Sequence, residues 1–369
     1  MRFLFIEPFY GGSHRDFAEG LAAHSRHAFR VVHLPARFWK WRMRGAALHF
    51  IRSIDDLATY DGIVTTGLMS LADFTALCRG RRPPALVYFH ENQLTYPVAP
   101  GEQMDVHFGF TDIMTALCAD RILFNSRFHY DRFFAALPEF IARMPEYKPN
   151  WAAADIRRKA GILYPGCHFE PDSADPPPLP DGPPIVIWNH RWEFDKNPAA
   201  FFSALDQVDR RGVDFRLAIL GEAYTTAPRA FGIARQRFAD KIVQYGYVSS
   251  RDAYVQWLQK GCVAVSTAIQ ENFGIAIVEA MRFGCLPLLP RRLAYPEVLP
   301  REFHADFLYR DDAELVDKLT ALLKDPHRFA CHRPVLADMM ARHAWPAVVE
   351  HYDRALESLT PWGETPILV

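Results

Sequence analysis

Half of the fourteen residues from Pro171 to Pro184 are proline. Proline fixes φ and carries no backbone N–H, so this stretch can enter neither a helix interior nor a central strand. It divides a chain of 369 residues into two halves, each near the roughly 150 residues of an ordinary domain. In both halves short apolar runs alternate with amphipathic stretches. Before the prolines, Phe3–Ile6, Arg30–Leu34, Gly62–Thr66, Ala85–Phe89 and Arg121–Phe124 read as strands. Helices are predicted at Asp16–His24, Leu71–Leu77, Ile113–Cys118 and Arg127–Ala136. Beyond the prolines, Ile185–Asn189, Phe215–Leu220, Ile242–Tyr245, Cys262–Ser266 and Leu286–Leu289 read as strands. The helices there are Ala199–Arg210, Asp252–Lys260, Ala276–Phe283 and Ala313–Leu323, with a last amphipathic stretch at Ala347–Leu359.

The strand runs are apolar on both faces, as buried parallel strands are. The alternation predicts α/β architecture with two doubly wound, Rossmann-like domains. The expected division is an N-terminal domain at 1–170, a linker at 171–184, a C-terminal domain at 185–345, and a helix and tail at 346–369 that return to the N-terminal domain. Ligands of open α/β sheets bind outside the carboxyl ends of the strands. Two such domains therefore predict a central cleft between facing strand ends, with the chemistry-bearing motifs just after strands.

Composition narrows the function classes. Lys and Arg number 42 against 43 Asp and Glu, so no bulk basicity marks a nucleic-acid binder. The balance is uneven, however: no acidic residue lies between Glu19 and Asp55, while Arg26, Arg30, Arg37, Lys40, Arg42, Arg44 and Arg52 fall there. The 6 cysteines are scattered, with no CxxC pair and no His/Cys cluster at zinc spacing. That usage predicts reduced thiols and a cytoplasmic protein. The N-terminus is apolar over only about eight residues and lacks a small-residue cleavage site, so it reads as a strand, not a signal peptide. No run approaches the roughly 20 apolar residues of a membrane span, and no membrane association is expected.

Four motifs follow predicted strands. In Glu271-Asn272-Phe273-Gly274-Ile275-Ala276-Ile277-Val278-Glu279 two glutamates eight apart flank a glycine and a helix start. Gly274 lets backbone approach a ligand closely, and N–H groups at a helix N-terminus suit a phosphate. Glu271 suits a polyol and Glu279 a ribose diol, unless both are solvated surface carboxylates. His190-Arg191 through Lys196-Asn197-Pro198 places two cations after the first strand of the second half, where they can neutralise a diphosphate leaving group. Tyr10-Gly11-Gly12-Ser13-His14 permits close approach to phosphate or sugar, or is simply a turn with His14 beside a helix cap. It is not a GxGxxG fingerprint, and the chain has no Walker motif, GxSxG elbow or DxD. His90-Glu91-Asn92-Gln93 puts four consecutive polar side chains after an apolar strand, where no packing reason for them is evident, and suits a sugar or nucleoside.

Arg37-Phe38-Trp39-Lys40-Trp41-Arg42-Met43-Arg44 interleaves cations with aromatics. That is the mixture required by a phosphate backbone with unstacked bases. It is equally what a solvated basic loop with core-packed tryptophans would show.

These motifs resemble the retaining GT-B glycosyltransferases of family four. The blocks FIEPFYGGSH, LPARFWKWRMRG, YFHENQLTYP, FNSRF, HRWEFDKNP, LGE (Gly221 and Glu222) and ENFGIAIVEA, in that order, resemble the tRNA-queuosine α-mannosyltransferase branch. The resemblance runs from Ile6 to about Glu297. It implies a GT-B fold, GDP-mannose as donor, no required cofactor or metal, and as acceptor the cyclopentenediol of queuosine at the tRNA wobble position. It further implies that Arg191 and Lys196 hold the donor diphosphate, and that Asn272, Phe273, Gly274 and Ile275 line the donor with backbone offered by Phe273 and Gly274. Glu271 would hold the transferred sugar's hydroxyls, Glu279 the ribose, and Gly11 and Gly12 the phosphates, with Gly221 and Glu222 also on the donor. His90 would lie near the anomeric carbon. Acceptor contacts would come from His14, Glu91, Asn92 and Gln93 and, on the tRNA, from Arg37, Trp39, Lys40, Trp41, Arg42 and Arg44. The chain departs from the wider family in having His190-Arg191 for Gly-Arg and Glu-Asn-Phe-Gly for Glu-Pro-Phe-Gly. The motifs leave open a retaining hexosyltransferase with a glycan, lipid or small-metabolite acceptor, and a non-catalytic nucleotide-sugar or tRNA-binding module. Neither the oligomeric state nor the tRNA species is encoded in them.

Overall fold

A computed structural model describes residues 1–78, 80, 82–99, 101–169, 176–221 and 227–359. They form two compact units: Met1–His168 together with the chain from His343, and Phe169–Arg342.

In the first unit, strands β1 (Arg2–Tyr10), β2 (Ala28–Pro35), β3 (Gly62–Thr66), β4 (Ala85–Phe89), β5 (Arg121–Phe124) and β6 (Ala160–Ile162) make one parallel sheet. Its order is β2-β1-β3-β4-β5-β6. The helices are α1 (Ser13–His24), α2 (Trp39–Ser53), α3 (Leu71–Leu77), α4 (Val106–Cys118), α5 (Arg127–Ala142) and α6 (Ala152–Arg158). Successive strand residues point to opposite faces, and both faces are covered. Leu4, Ile6, Ile63, Val87, Phe89, Ile122 and Phe124 pack under α2 to α6. Phe3, Phe5, Val64, Leu86, Tyr88 and Leu123 pack under α1 and a closing C-terminal helix.

The second unit repeats the plan with β7 (Ile185–Trp188), β8 (Arg216–Leu220), β9 (Ile242–Gly246), β10 (Val263–Val265), β11 (Leu286–Pro290) and β12 (Leu308–Tyr309). This sheet is also parallel, in the order β12-β11-β10-β7-β8-β9. Its helices are α7 (Pro198–Arg210), α8 (Arg229–Arg237), α9 (Arg251–Lys260), α10 (Ile275–Arg282), α11 (Tyr295–Val298), α12 (His304–Phe307), α13 (Asp312–Lys324) and α14 (His332–Met340). The described part of the proline-rich segment lies against this unit, where Arg333 Nη1 donates to the Pro177 carbonyl at 2.8 Å.

The closing helix, α15 (Trp345–Glu357), belongs to the first unit. Trp345 is wholly buried there, seated against Gly20 and Gly166, where any Cβ would strike the indole. Tyr352 Oη donates to the Tyr164 carbonyl at 2.8 Å. No described helix is long and apolar enough to cross a membrane.

One element departs from the sequence reading. The basic–aromatic stretch, expected as a loop, enters α2 at Trp39, directly after Phe38 in the left-handed region. Met43, Ala46, Ala47 and Phe50 recur at helical spacing and are buried. That 3.6-residue period was legible, but the exposed Trp41 and Leu48 interrupt it. The elements α6, β6, α8, α11, α12, β12 and α14 also lie outside the expected set.

Sheet order locates the ligand sites. In the first unit the chain leaves β1 towards β2 and then returns to add β3 on the other side. In the second it leaves β7 towards β8 and returns to add β10. Those reversals are topological switch points, where loops after adjacent strands diverge and open a crevice. Of the strands that the predicted motifs follow, β1, β7 and β10 flank a switch point and β4 lies one strand away, beyond β3.

Candidate active site

The second-unit site is built by stitching the turn after β7 to the loop after β10. The Asp195 carbonyl accepts from Ile269 N at 2.8 Å and Gln270 N at 3.3 Å. Thr267 Oγ1 contacts the carbonyls of Lys196 and Asn197, each at 2.9 Å. These bonds bring Lys196 to Glu271 across 75 residues of sequence. Lys196 Nζ donates to the Gln270 carbonyl at 2.8 Å and lies 3.1 Å from Asp195 Oδ2 and 3.4 Å from Glu271 Oε2. Burial pulls its pKa down, but Glu271 and Asp195 outweigh it and the net shift is upward. Lys196 is therefore a buried, fully charged ammonium. Arg191 lies further out, 3.3 Å from Glu193 Oε1 with its side chain 46% exposed.

Gly274 caps α10 with φ 98°, a left-handed conformation that a side chain would strain. The first N–H groups of α10 lie outside the intrahelical ladder and carry its positive dipole end. Phe273 and Asn272 are buried beside them, and Ile275 opens the helix. One turn on, Glu279 is held by two residues of α9: Arg251 Nη1 at 2.6 Å and Tyr254 Oη at 3.2 Å. Tyr254 Oη also accepts from Asn189 Nδ2 at 3.0 Å. Glu279 is thus neither a surface carboxylate nor an unanchored one. Gly221 has a reason of its own to be glycine: with φ +126°, a Cβ there would collide with the His190 carbonyl. Glu222 lies outside the described residues.

In the first unit, Gly11 and Gly12 turn the chain from β1 into α1. Gly11 lies so close to Ala36 that a Cβ would clash. His14, in the first turn of α1, is buried between two carboxylates: Nδ1 is 3.2 Å from Glu7 Oε1 and Nε2 is 3.5 Å from Glu91 Oε2. Burial opposes the imidazolium, yet Glu7 and Glu91 outweigh it and lift its pKa to about 10. His90 is buried with its ring centroid 4.2 Å from that of His14. Burial, then the charge of His14, pushes its pKa well below the ordinary value, so His90 is a neutral imidazole.

The expectation that all four polar residues after β4 lack a structural reason fails at Asn92. Its Oδ1 accepts from Leu94 N at 3.1 Å, Thr95 N at 3.1 Å and Thr95 Oγ1 at 3.2 Å, while its Nδ2 bonds His129 Nε2 at 2.8 Å. Asn92 is 1% exposed and serves as the staple of its own loop. Gln93 is tied through its backbone N–H to Asp112.

With these geometries in place, the relatives can be compared. Residues 2–167 match the family described as tRNA-queuosine alpha-mannosyltransferase N-terminal. Residues 170–335 match glycosyl transferases group 1. The tRNA-queuosine alpha-mannosyltransferase of Drosophila melanogaster is 35% identical over 347 residues, 89% of each chain. The chain belongs to the tRNA-queuosine alpha-mannosyltransferase family. A GDP-mannose:cellobiosyl-diphosphopolyprenol alpha-mannosyltransferase from Xanthomonas oryzae is 27% identical over 171 residues, 45% of each chain. Among solved structures, sucrose-phosphate synthase from Thermosynechococcus elongatus superposes with TM-score 0.75 over 97% of this chain and 99% of that one, at 15% identity. The fold is GT-B and the protein is a glycosyltransferase.

In this member of the family the basic–aromatic stretch is divided in its duties. Trp39 is half-buried and packs on Phe108 of α4, centroids 5.2 Å apart. Arg44 Nη1 donates to Thr111 Oγ1 at 3.1 Å, and Lys40 lies 3.5 Å from Glu102. Arg42 is half-buried and Arg37 exposed. Phe38 and Trp41 stand 68% and 78% exposed and Trp39 is half-buried, so neither tryptophan of the stretch enters the buried core.

Sequence reasoning assigned no role to Asn189, Asp195, Arg251, Tyr254 or Glu7. Glu7 carried a readable signal, a lone carboxylate inside the apolar run FLFIEPFY. Asn189, Arg251 and Tyr254 carried none, because their partners lie far away in the chain; Asp195 adjoins its partner Lys196 in sequence, but only the fold shows that the pair is buried.

The triad makes a pH prediction. A histidine raised from about 6.5 to about 10 contributes stability that is complete below its unfolded pKa and lost as pH rises through the folded one. In an NMR titration the His14 ring should titrate near 10. Glu7→Gln should bring that midpoint down by more than one unit; an unmoved midpoint would refute the pairing.

Proposed function

We propose that this enzyme transfers mannose from GDP-mannose to the cyclopentenediol of queuosine at the wobble position of tRNA, with retention of anomeric configuration. The observation that carries this reading is the identity with the Drosophila tRNA-queuosine alpha-mannosyltransferase along most of both chains. The name of the Xanthomonas relative supports GDP-mannose as donor. A tRNA acceptor also accords with a cytoplasmic enzyme.

In this reading the donor diphosphate is met by Arg191, Lys196 and the N-terminus of α10, the sugar hydroxyls by Glu271, and the nucleoside ribose by Glu279. Asn272, Phe273, Gly274 and Ile275 line the donor. As the bond between C1 and the phosphate oxygen breaks, charge grows on the diphosphate, and cations already in place stabilise that change without reorganising. An acceptor hydroxyl attacks C1 from the face the diphosphate leaves, and its proton passes to the departing diphosphate oxygen. A double-displacement route needs a carboxylate placed as nucleophile, as in retaining glycosidases; we assign Glu271 to the sugar hydroxyls instead. Gly11 and Gly12 are assigned to the donor phosphates. His90, as a neutral imidazole, holds a sugar oxygen by a single hydrogen bond. His14, Glu91 and Gln93 attend the acceptor nucleoside, and the cations and rings of Arg37, Trp39, Lys40, Trp41, Arg42 and Arg44 attend the tRNA backbone and its unstacked bases.

Nucleoside mass spectrometry tests this directly. Queuosine from tRNA incubated with enzyme and GDP-mannose should gain one hexose. The gain should vanish with queuosine-free tRNA and with Glu271→Ala. Unchanged queuosine, with the sugar transferred to some other acceptor, would overturn the acceptor assignment and leave the glycosyltransferase standing.

A further inference from the structure

Glu7 is wholly buried in the middle of a strand whose neighbours are Phe5, Ile6, Pro8 and Phe9. A carboxylate in such a place costs several kcal/mol unless it is paired and hydrogen-bonded. Its oxygens are fully engaged. Oε1 accepts from Phe9 N at 2.8 Å and from Thr66 Oγ1, at the end of the adjacent β3, at 3.2 Å. Both oxygens lie within 3.3 Å of His14 Nδ1. The far side of the same imidazole, Nε2, faces Glu91 Oε2 at 3.5 Å. Both ring nitrogens thus point at carboxylates, the arrangement of an imidazolium donating in two directions.

The line Glu7–His14–Glu91 runs outward. Side-chain exposure rises from 0% at Glu7 through 7% at His14 to 27% at Glu91. It crosses the switch point of the first sheet, from β1 through α1 to the loop after β4. Two residues further along that loop the backbone is anchored separately, by the Gln93 N–H on buried Asp112. Core packing by itself does not call for a buried carboxylate here, since an apolar residue in β1 would fill the space without burying a charge. The arrangement is that of a support holding an outer carboxylate in one orientation.

We propose that Glu7 is a positioning residue for the acceptor: acting through His14, it holds the Glu91 carboxylate in the orientation that accepts hydrogen bonds from the two vicinal hydroxyls of the acceptor. This rests on the reading of the acceptor as the cyclopentenediol of queuosine. A carboxylate offers about four acceptor sites over its two oxygens, so one whose Oε2 faces a fixed cation can also accept from two adjacent hydroxyls. A nucleoside lacking the diol would leave the carboxylate desolvated and unpaired, which is how such a site rejects it.

The test uses wild-type enzyme, Glu7→Gln, Glu91→Gln and the double variant. The measurements are kcat and KM for queuosine-containing tRNA and for GDP-mannose, hydrolysis of GDP-mannose without tRNA, and Tm. Glu7→Gln is nearly isosteric and keeps an oxygen for Phe9 N and Thr66. It should lower kcat/KM for tRNA about 10- to 100-fold, the worth of a charge-assisted hydrogen bond. Donor KM and donor hydrolysis should stay within about twofold. Because Glu7 acts through Glu91, adding Glu7→Gln to Glu91→Gln should cost little more. A wild type that transfers, beside a Glu7→Gln that keeps its tRNA kcat/KM or loses donor hydrolysis in equal measure, overturns this inference alone. Fully additive losses overturn it too. A wild type that leaves queuosine unmodified overturns the acceptor reading and this inference together.

Discussion

Replacing Lys196 by methionine is expected to slow mannosyl transfer by a factor on the order of 10² to 10³, the usual consequence of losing one preorganised charge contact to a transition state. Lys196 is an ammonium only 7% exposed, where weak screening makes its field stronger than a surface lysine's. Its place is set by the Gln270 carbonyl and by Asp195 and Glu271, so little reorganisation remains when a diphosphate arrives. Removing it also leaves Asp195 buried beside Glu271 without the charge that pairs them, a loss of about 3–5 kcal/mol in stability by analogy with other broken buried pairs. The variant should therefore be assayed well below its Tm, beside a Lys196→Met, Asp195→Asn double variant in which the stranded charge is gone. Transfer that recovers in the double variant would make Lys196 a structural ion. Transfer that stays depressed while Tm recovers would place its charge on the reaction.

Second in size is the contrast between the two glutamates of the post-β10 motif. Glu271→Gln should lower kcat by about 10² with donor KM changed far less, because the carboxylate beside Lys196 is assigned to the sugar being transferred. Glu279→Gln should instead raise donor KM by about tenfold, the worth of one charge-assisted hydrogen bond, with kcat nearly intact. Glu279 lies over a helical turn from the motif's loop, tied to Arg251 and Tyr254 on α9, and is assigned to the ribose, which does not react. Steady-state kinetics with GDP-mannose separate the two. An exchanged pattern would swap their roles, and equal losses in both parameters for both variants would dissolve the distinction.

Much of this could be read along the chain, and the failures have a common cause. Strands β3, β4 and β5 were legible to the residue, because a buried parallel strand is an uninterrupted apolar run with turn residues at both ends. Helix α2 was missed because Phe38, Trp39 and Trp41 suggested a core that only Met43, Ala46, Ala47 and Phe50 actually enter. The structural role of Asn92 was missed in part because His129 becomes its neighbour only when the chain folds; its bonds to the amides of Leu94 and Thr95, two and three residues on, are a local turn that the sequence could have suggested. The stacking of Trp39 on Phe108 was not legible, because nothing local distinguishes a tryptophan that finds a ring on another helix from one that finds solvent.

Residue types and short-range spacing are properties of the sequence by itself. They determined the two α/β halves, the glycine at a helix start, and the cations and carboxylates that follow strands, because hydrophobic period and backbone stereochemistry act within a few residues. The order of strands in each sheet depends on contacts between distant segments, and only the tertiary structure decided it. That order brings Lys196 to Glu271, Arg251 to Glu279, and Glu7 through His14 to Glu91. Each pairing depends on burial and on a charge contributed from elsewhere in the chain, so the charge states of Lys196, His14 and His90 belong to the fold and not to the motif.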